Sequence, residues 1–442
     1  MPIPFERPLP PQRPLYFCGP IETGAGRLSK LFVLCPNPLK PVQTVVTPRQ
    51  LFLRHQAQTS DFPLLLEIER AEGVYMYGPD GRRYLDLISG IGVSNVGHRH
   101  PRVLAGIQAQ LDKYLHLMVY GELVQAVPAQ LAEAIHQTLP AHLDSVFFTN
   151  SGTEAIEGAL KLAKRHTGRT ELISCLNAYH GSTHGALSIT GSESFKNSFR
   201  PLLPDVRHIR HNDFADLALI TERTAAVVIE TVQGEAGVRV PSPYYLPALR
   251  RRCREVGALL ILDEIQCGYG RTGSMWAFTQ FGIEPDILVC AKGMGGGMPI
   301  GAFIASTEIM SGFKTNPILG HCTTFGGHPV SCAAALATLQ VMQDEKLAEG
   351  VAAKAARFRA QLRHPAIRAV RGCGLLMAVE FDSFAVLKPI IDHALAHEGV
   401  LTDWFLFCDN SLRLAPPLTI SETEIDEACA ALLRAVAHIT GE

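Results

Sequence analysis

Lys292 stands between a short apolar run, Ile287-Leu-Val-Cys290, and a glycine-dense turn, Gly293-Met-Gly-Gly-Gly297. A second apolar run, Ala258-Leu-Leu-Ile-Leu262, ends in Asp263-Glu264-Ile265-Gln266. An amine and a carboxylate at the ends of two neighbouring buried strands suit pyridoxal 5'-phosphate (PLP). The amine condenses with the cofactor aldehyde, and the carboxylate keeps a proton on the pyridine nitrogen so that the ring accepts electrons. A lone lysine in a loop is ordinarily just solvated, so the reading rests on the motifs around it.

Thr149-Asn-Ser-Gly-Thr-Glu-Ala155 falls between an expected strand and an expected helix. By itself it is an ordinary helix cap. Ser151, Gly152 and Thr153 also have the types that let helix N-terminal amides approach a phosphate dianion. Tyr179 and His180, in Ala178-Tyr-His-Gly-Ser-Thr183, follow another strand end, where an aromatic either stacks on a planar ring or packs in the core. Glu230-Thr-Val-Gln-Gly-Glu235 ends a further strand with two carboxylates, which are either solvated or functional. Thr323-Thr324 supplies hydroxyls before a tight turn, and Arg413 lies in the short apolar strand Ser411–Leu414. A guanidinium there holds a substrate carboxylate bidentately or forms a structural ion pair.

The elements that position these residues follow from periodicity. Gly73–Asp86 reads as a hairpin about Gly78-Pro-Asp-Gly81. Helices are expected over 101–115, 128–139, 153–166 and 244–256, and strands over 145–149, 171–175, 225–229 and 258–262. Alternation at this spacing implies an α/β fold with a mostly parallel sheet and a ligand at its carboxyl edge. After His328 a helical stretch runs to about Leu362. A strand over 375–380, a helix, the strand holding Arg413 and a closing helix over 421–438 complete a smaller α+β unit.

Bulk properties exclude other classes. With 47% apolar and 19% charged residues, 442 residues can bury a large core. A net charge of −2 offers no footprint for nucleic acid or an anionic membrane, and no apolar stretch is long enough for a bilayer span. The eleven cysteines are scattered without a C-x-x-C pair, which argues against a metal centre or disulfide framework and for a reducing cytoplasm. The first 48 residues hold 11 of the 29 prolines. They read as a flexible arm, with an arm laid across a partner as the rival, and no secretory signal is evident.

Together these motifs resemble the class III, fold-type I PLP-dependent aminotransferases, the family of acetylornithine, ornithine and 4-aminobutyrate aminotransferases, from about residue 60 onward. The resemblance implies a large domain with a mostly parallel seven-stranded sheet and a smaller α+β domain. The boundaries are then a Pro-rich arm at 1–48, the first part of the small domain at 49–105, the PLP-binding domain at 106–330 and the rest of the small domain at 331–442. It implies that Lys292 carries the cofactor and moves the proton, with Asp263 as pyridinium partner. Ser151, Gly152, Thr153, Tyr179, His180, Glu230 and Gln266 surround the cofactor, Tyr179 stacking on it. Thr324 reaches the phosphate of a neighbouring subunit, which makes a homodimer with shared active sites necessary. Thr323 and Arg413 meet substrate, and Glu235 covers Arg413 while an ω-amino donor is bound. The implied partners are a small-molecule amino donor and a 2-oxo acid acceptor, 2-oxoglutarate or pyruvate.

Two departures bear on the substrate. Ser182 stands where acetylornithine, ornithine and 4-aminobutyrate enzymes usually carry arginine, and loss of such a clamp costs about 1.5–3 kcal/mol of binding if nothing compensates. Ser89-Gly-Ile-Gly-Val93 lacks the tyrosine that ornithine aminotransferases place near ornithine, which disfavours free ornithine. Ser182 also motivates the alternative of a PLP epimerase, racemase or aminomutase on the same scaffold.

Overall fold

The computed structural model describes residues 46–441. Most of the Pro-rich arm therefore lies outside the described residues. Contacts divide the chain after Pro63. The described part of the first unit carries one helix, Pro48–His55, with proline in its first turn. Its capping box is reciprocal: Gln50 N donates to Thr47 Oγ1 at 3.3 Å and Thr47 N donates to Gln50 Oε1 at 3.0 Å.

The second unit, from Leu64, begins with a small antiparallel ribbon: β1 (Arg70–Glu72), β2 (Tyr75–Tyr77) and β3 (Arg83–Asp86). The β2–β3 turn closes through Gly78 N to Arg82 O at 2.9 Å, and Gly81 takes the φ of +80° that the turn requires. The large sheet consists of β4 (Ser145–Thr149), β5 (Glu171–Cys175), β6 (Val206–Ile209), β7 (Thr224–Glu230), β8 (Leu259–Asp263), β9 (Ile287–Cys290) and β10 (Gly301–Ala305). Its order is β4-β10-β9-β8-β7-β5-β6, and β10 alone runs against the rest. The remaining strands are β11 (Ala369–Cys373), β12 (Leu376–Glu380), β13 (Val400–Leu401), β14 (Trp404–Phe405) and β15 (Cys408–Leu414). β13 lies parallel to β3, while β11, β12, β15 and β14 form a second four-stranded sheet in that order.

The apolar runs of the large sheet are continuous because both faces are covered. Val227, Ile229, Leu260, Leu262, Leu288 and Cys290 pack on one side with the helix Tyr245–Val256. Val228, Ile261, Ile287, Val289 and Phe303 pack on the other with the helix Gly152–Thr167. A third core joins β3, β12, β13 and β15 to the closing helix Glu422–Thr440. The fold is that of α/β fold-type I, with its mainly parallel seven-stranded sheet and smaller sheets beside it. No described helix is long and apolar enough to cross a membrane.

Two expected helices differ in extent. The stretch after His328 is two helices, Pro329–Asp344 and Val351–Gln361, separated by a turn in which Lys346 takes a φ of +51° and Gly350 caps the second helix. The helix from Pro101 stops at Leu111 because the buried Gln110 amide donates to the Tyr114 carbonyl at 2.9 Å and closes the chain into a turn. The expected elements do not include β1, β6, β10, β11, β13 or β14.

Candidate active site

The carboxyl ends of β7, β8 and β9 and the N-terminus of the helix Gly152–Thr167 face a cavity of about 490 Å³. Lys292 enters it from the turn between β9 and β10. Its φ of +46° is a left-handed conformation that costs lysine roughly 1 kcal/mol and is held by the turn around it. Enclosure pushes its amine below the ordinary lysine range, and the Arg413 charge acts in the same sense against Glu235, Asp263 and Glu230.

Asp263 closes β8 and lines the same cavity. Its Oδ1 accepts from Ile265 N at 3.0 Å, and its Oδ2 meets His180 Nδ1 at 2.8 Å. His180 Nε2 lies 3.1 Å from Ser174 Oγ at the end of β5, so the buried carboxylate, imidazole and hydroxyl form one chain. Next to it, Tyr179 lines the cavity with its hydroxyl 3.2 Å from Ser182 Oγ. The Tyr179 backbone N donates to Glu230 Oε1 at 3.2 Å, and Gly234 N donates to Glu230 Oε2 at 2.8 Å. Burial pushes the Glu230 carboxyl up to about 7, helped by the Asp263 charge and opposed by His180 and these amides.

Ser151 caps the helix, Glu154 N donating to its hydroxyl at 3.4 Å. The first-turn amides beyond it have no acceptor within the helix. A Cβ at Gly152 would stand 2.7 Å from Ile265 Cδ1, so any larger residue here has to displace that side chain at the cavity wall. Thr153 Oγ1 and Thr183 Oγ1 are 2.8 Å apart.

On the cavity wall, Glu235 and Arg413 form a buried bidentate pair at 2.7 and 2.9 Å. Burial works against ionisation of Glu235, but the guanidinium outweighs it and holds the carboxyl below its usual range. Gln266 Nε2 is 3.5 Å from Glu235 Oε1. Arg413 itself stands behind Glu235 rather than among the lining residues.

One cavity thus gathers Lys292, Asp263, Ser151, Gly152, Thr153, Tyr179, His180, Glu230, Gln266 and Glu235. Thr323 and Thr324 do not line it. Thr323 Oγ1 accepts from Gly326 N at 2.8 Å within its own turn, and Thr324 is exposed. Sequence reasoning missed Ser174, Thr183 and Asp403. Asp403 Oδ1 accepts from Arg413 Nε at 2.9 Å across the irregular pairing of β14 with β15, which leaves no periodic signal.

The cavity suits a flat, anionic, aldehyde-bearing cofactor: helix amides and hydroxyls for a phosphate, an aromatic at one wall, a carboxylate at the floor and a single amine. Comparison with known proteins gives the same class. The profile of the family described as Aminotransferase class-III matches residues 56–436. An acetylornithine aminotransferase of Methanothermobacter thermautotrophicus is 39% identical over 368 residues, covering 82% of this chain and 91% of that protein. A putrescine aminotransferase of Pectobacterium atrosepticum is 41% identical over 376 residues, covering 80% and 78%. The structure is similar to that of the ornithine aminotransferase of Toxoplasma gondii crystallised with oxidised glutathione, in which PLP partly occupies the active site. There the TM-score is 0.83 at 30% identity, covering 90% of this chain and 96% of that one. The chain belongs to the class III aminotransferases and is a PLP-dependent enzyme.

Proposed function

We propose that this enzyme moves an amino group from an ω-amino compound or N-acylated diamino acid to a 2-oxo acid, 2-oxoglutarate or pyruvate. The observation that carries the reading is the buried Glu235–Arg413 pair on the cavity wall. Paired, it presents no free cation to a donor lacking a carboxylate at that point. Opened, it offers a fork to the carboxylate of the acceptor. The names of the acetylornithine and putrescine enzymes support the donor class.

In this reading Lys292 would hold the cofactor aldehyde, the Gly152 and Thr153 amides with the Ser151 and Thr153 hydroxyls would hold its phosphate, and the Asp263 carboxylate would keep a proton on its ring nitrogen. The bound cofactor supplies an electron sink for the carbon that loses its proton. Lys292, with its basicity lowered by enclosure, carries that proton once its amine is free. His180, itself held by Ser174, fixes the Asp263 carboxylate, and Tyr179 on the cavity wall would stack on the cofactor ring. Thr323, which does not line this cavity, would contact substrate only in the neighbouring subunit's site of the proposed homodimer, and the body divides into large and small domains at the boundaries given above.

A homodimer belongs to the proposal. Leu115, Leu117, Met118, Leu123 and Val124 are exposed, as are Ile318, Leu319 and Phe325, and His116 bridges the two segments with its ring 4.7 Å from Phe325. Such a patch fits a second copy, and exposed Thr324 beside it fits a contact to that copy's cofactor phosphate. The unpaired, mostly buried thiols among the described cysteines fit a reducing cytoplasm.

A donor panel tests the activity: N-acetylornithine, ornithine, 4-aminobutyrate, putrescine, β-alanine and lysine, read by formation of the pyridoxamine form. At least one ω-amino donor should drive it, and a 2-oxo acid should reverse it. Loss of substrate chirality without any need for a 2-oxo acid would overturn transamination in favour of an isomerase.

A further inference from the structure

Arg413 is held by two carboxylates of different kinds. Glu235 takes both terminal nitrogens, at 2.7 and 2.9 Å. Asp403 takes only Nε, at 2.9 Å, and Nη2 also donates to the Trp404 carbonyl at 3.2 Å. The two residues are also locked through the backbone, Arg413 N donating to Asp403 O at 2.8 Å. The Thr402 hydroxyl donates to the Arg413 carbonyl at 2.6 Å, and the guanidinium carbon lies 4.5 Å from the Phe405 ring centroid. Glu235 sits on the loop after β7, whose backbone is tied to the turn between β14 and β15 by Phe407 N donating to Glu235 O at 3.1 Å, so the Glu235 side chain alone has to swing away from Arg413 while β14 and β15 stay paired.

We infer that Asp403 is the permanent anchor of Arg413, a positioning residue that keeps the guanidinium fork aimed at the cavity when Glu235 yields to the carboxylate of the amino acceptor. The inference rests on the proposed role of Arg413. Glu235 and an incoming carboxylate use the same two nitrogens, so the loss of Asp403's charge strengthens both contacts alike. The orientation effect remains. It bears on the acceptor, which needs the fork held without Glu235, and spares a donor that leaves the pair closed.

Burial pushes the Asp403 carboxyl up to about 6, with Glu235 and Asp86 acting in the same direction and Arg413 opposing. Protonation below that pH weakens the anchor while the chain stays folded.

The test uses the holoenzyme as purified, with wild type, Asp403→Asn, Asp403→Glu and Arg413→Ala compared in the two half-reactions. Asp403→Asn should raise KM for the 2-oxo acid about tenfold, the scale of one charge-assisted hydrogen bond, with the ω-amino half-reaction changed less than about twofold. In wild type, kcat/KM for the acid should fall as pH drops through about 6; Asp403→Asn should remove that limb and Asp403→Glu should retain it. An unchanged KM in Asp403→Asn, with Arg413→Ala strongly impaired, overturns the anchor alone. An unchanged KM in Arg413→Ala overturns the reading of Arg413 beneath it. Should Asp403→Asn fail to fold, the wild-type profile decides: a limb near pH 6 in the acid half-reaction alone supports the anchor, and a flat profile overturns it.

Discussion

Replacing Glu235 by glutamine keeps the shape of the wall and removes the charge that covers Arg413. Glu235 accepts two hydrogen bonds from Arg413 and one from Leu406 N at 3.1 Å. Glutamine offers one acceptor oxygen and turns an NH2 group toward donors, so at least one charge-assisted bond is lost, at about 1.5–3 kcal/mol. An entering carboxylate then competes with a weaker partner for the same fork, and its affinity should rise on the order of tenfold or more. For an ω-amino donor the change has the opposite sign. Arg413 keeps only Asp403 as counter-ion, and its charge now bears on Lys292 and on the donor amine. The ratio of kcat/KM for glutamate to kcat/KM for the ω-amino donor should therefore rise at least about tenfold. Single-turnover absorbance of the bound cofactor, donor by donor, reads both terms. Breaking one side of a buried pair should also lower stability by about 3 kcal/mol, visible in thermal unfolding. A ratio that moves less than twofold in a folded, cofactor-loaded variant refutes Glu235 as a gate.

Gly152→Ala adds a methyl 2.7 Å from Ile265 Cδ1, a side chain already packed against the sheet. PLP affinity should fall about tenfold through loss of amide contact, while apo stability holds within about 1 kcal/mol because alanine favours the helix; an unchanged Kd by fluorescence titration removes the phosphate site from this helix end. Glu230, with its folded carboxyl at about 7 against an ordinary 4.5, holds a proton that the unfolded chain releases, so its contribution is present below pH 4.5 and is lost as pH rises to 7. Relative to Glu230→Gln, the apo wild type should lose about 3 kcal/mol across that window, and parallel pH profiles of denaturant midpoints would show that Glu230 ionises freely.

What the sequence disclosed and what it withheld follow from the range of the interactions involved. The strands β5, β7, β8 and β9 stand out because helices cover both faces, so every residue from Ala225 to Ile229 must be apolar. Their carboxyl ends then locate Asp263 and Lys292 without further information. β10 escapes the same logic: Gly301-Ala-Phe-Ile-Ala305 is equally apolar, but it follows a ten-residue connection from β9 and reverses direction, which a parallel pattern does not anticipate. The Glu235–Arg413 pair spans 178 positions, and nothing local in either segment announces the other; resemblance alone joined them. Asp403 is harder still. It lies ten residues from Arg413, yet the contact exists only because the pairing of β14 with β15 slips at Trp404 and Phe405. The slip sets Trp404 opposite Leu412 and hence Asp403 opposite Arg413. Carried on unbroken from Phe405 and Cys408, the pairing would set Asp403 opposite Asn410 instead, and Arg413 would lose its only carboxylate partner, among the described residues, that does not also guard the cavity.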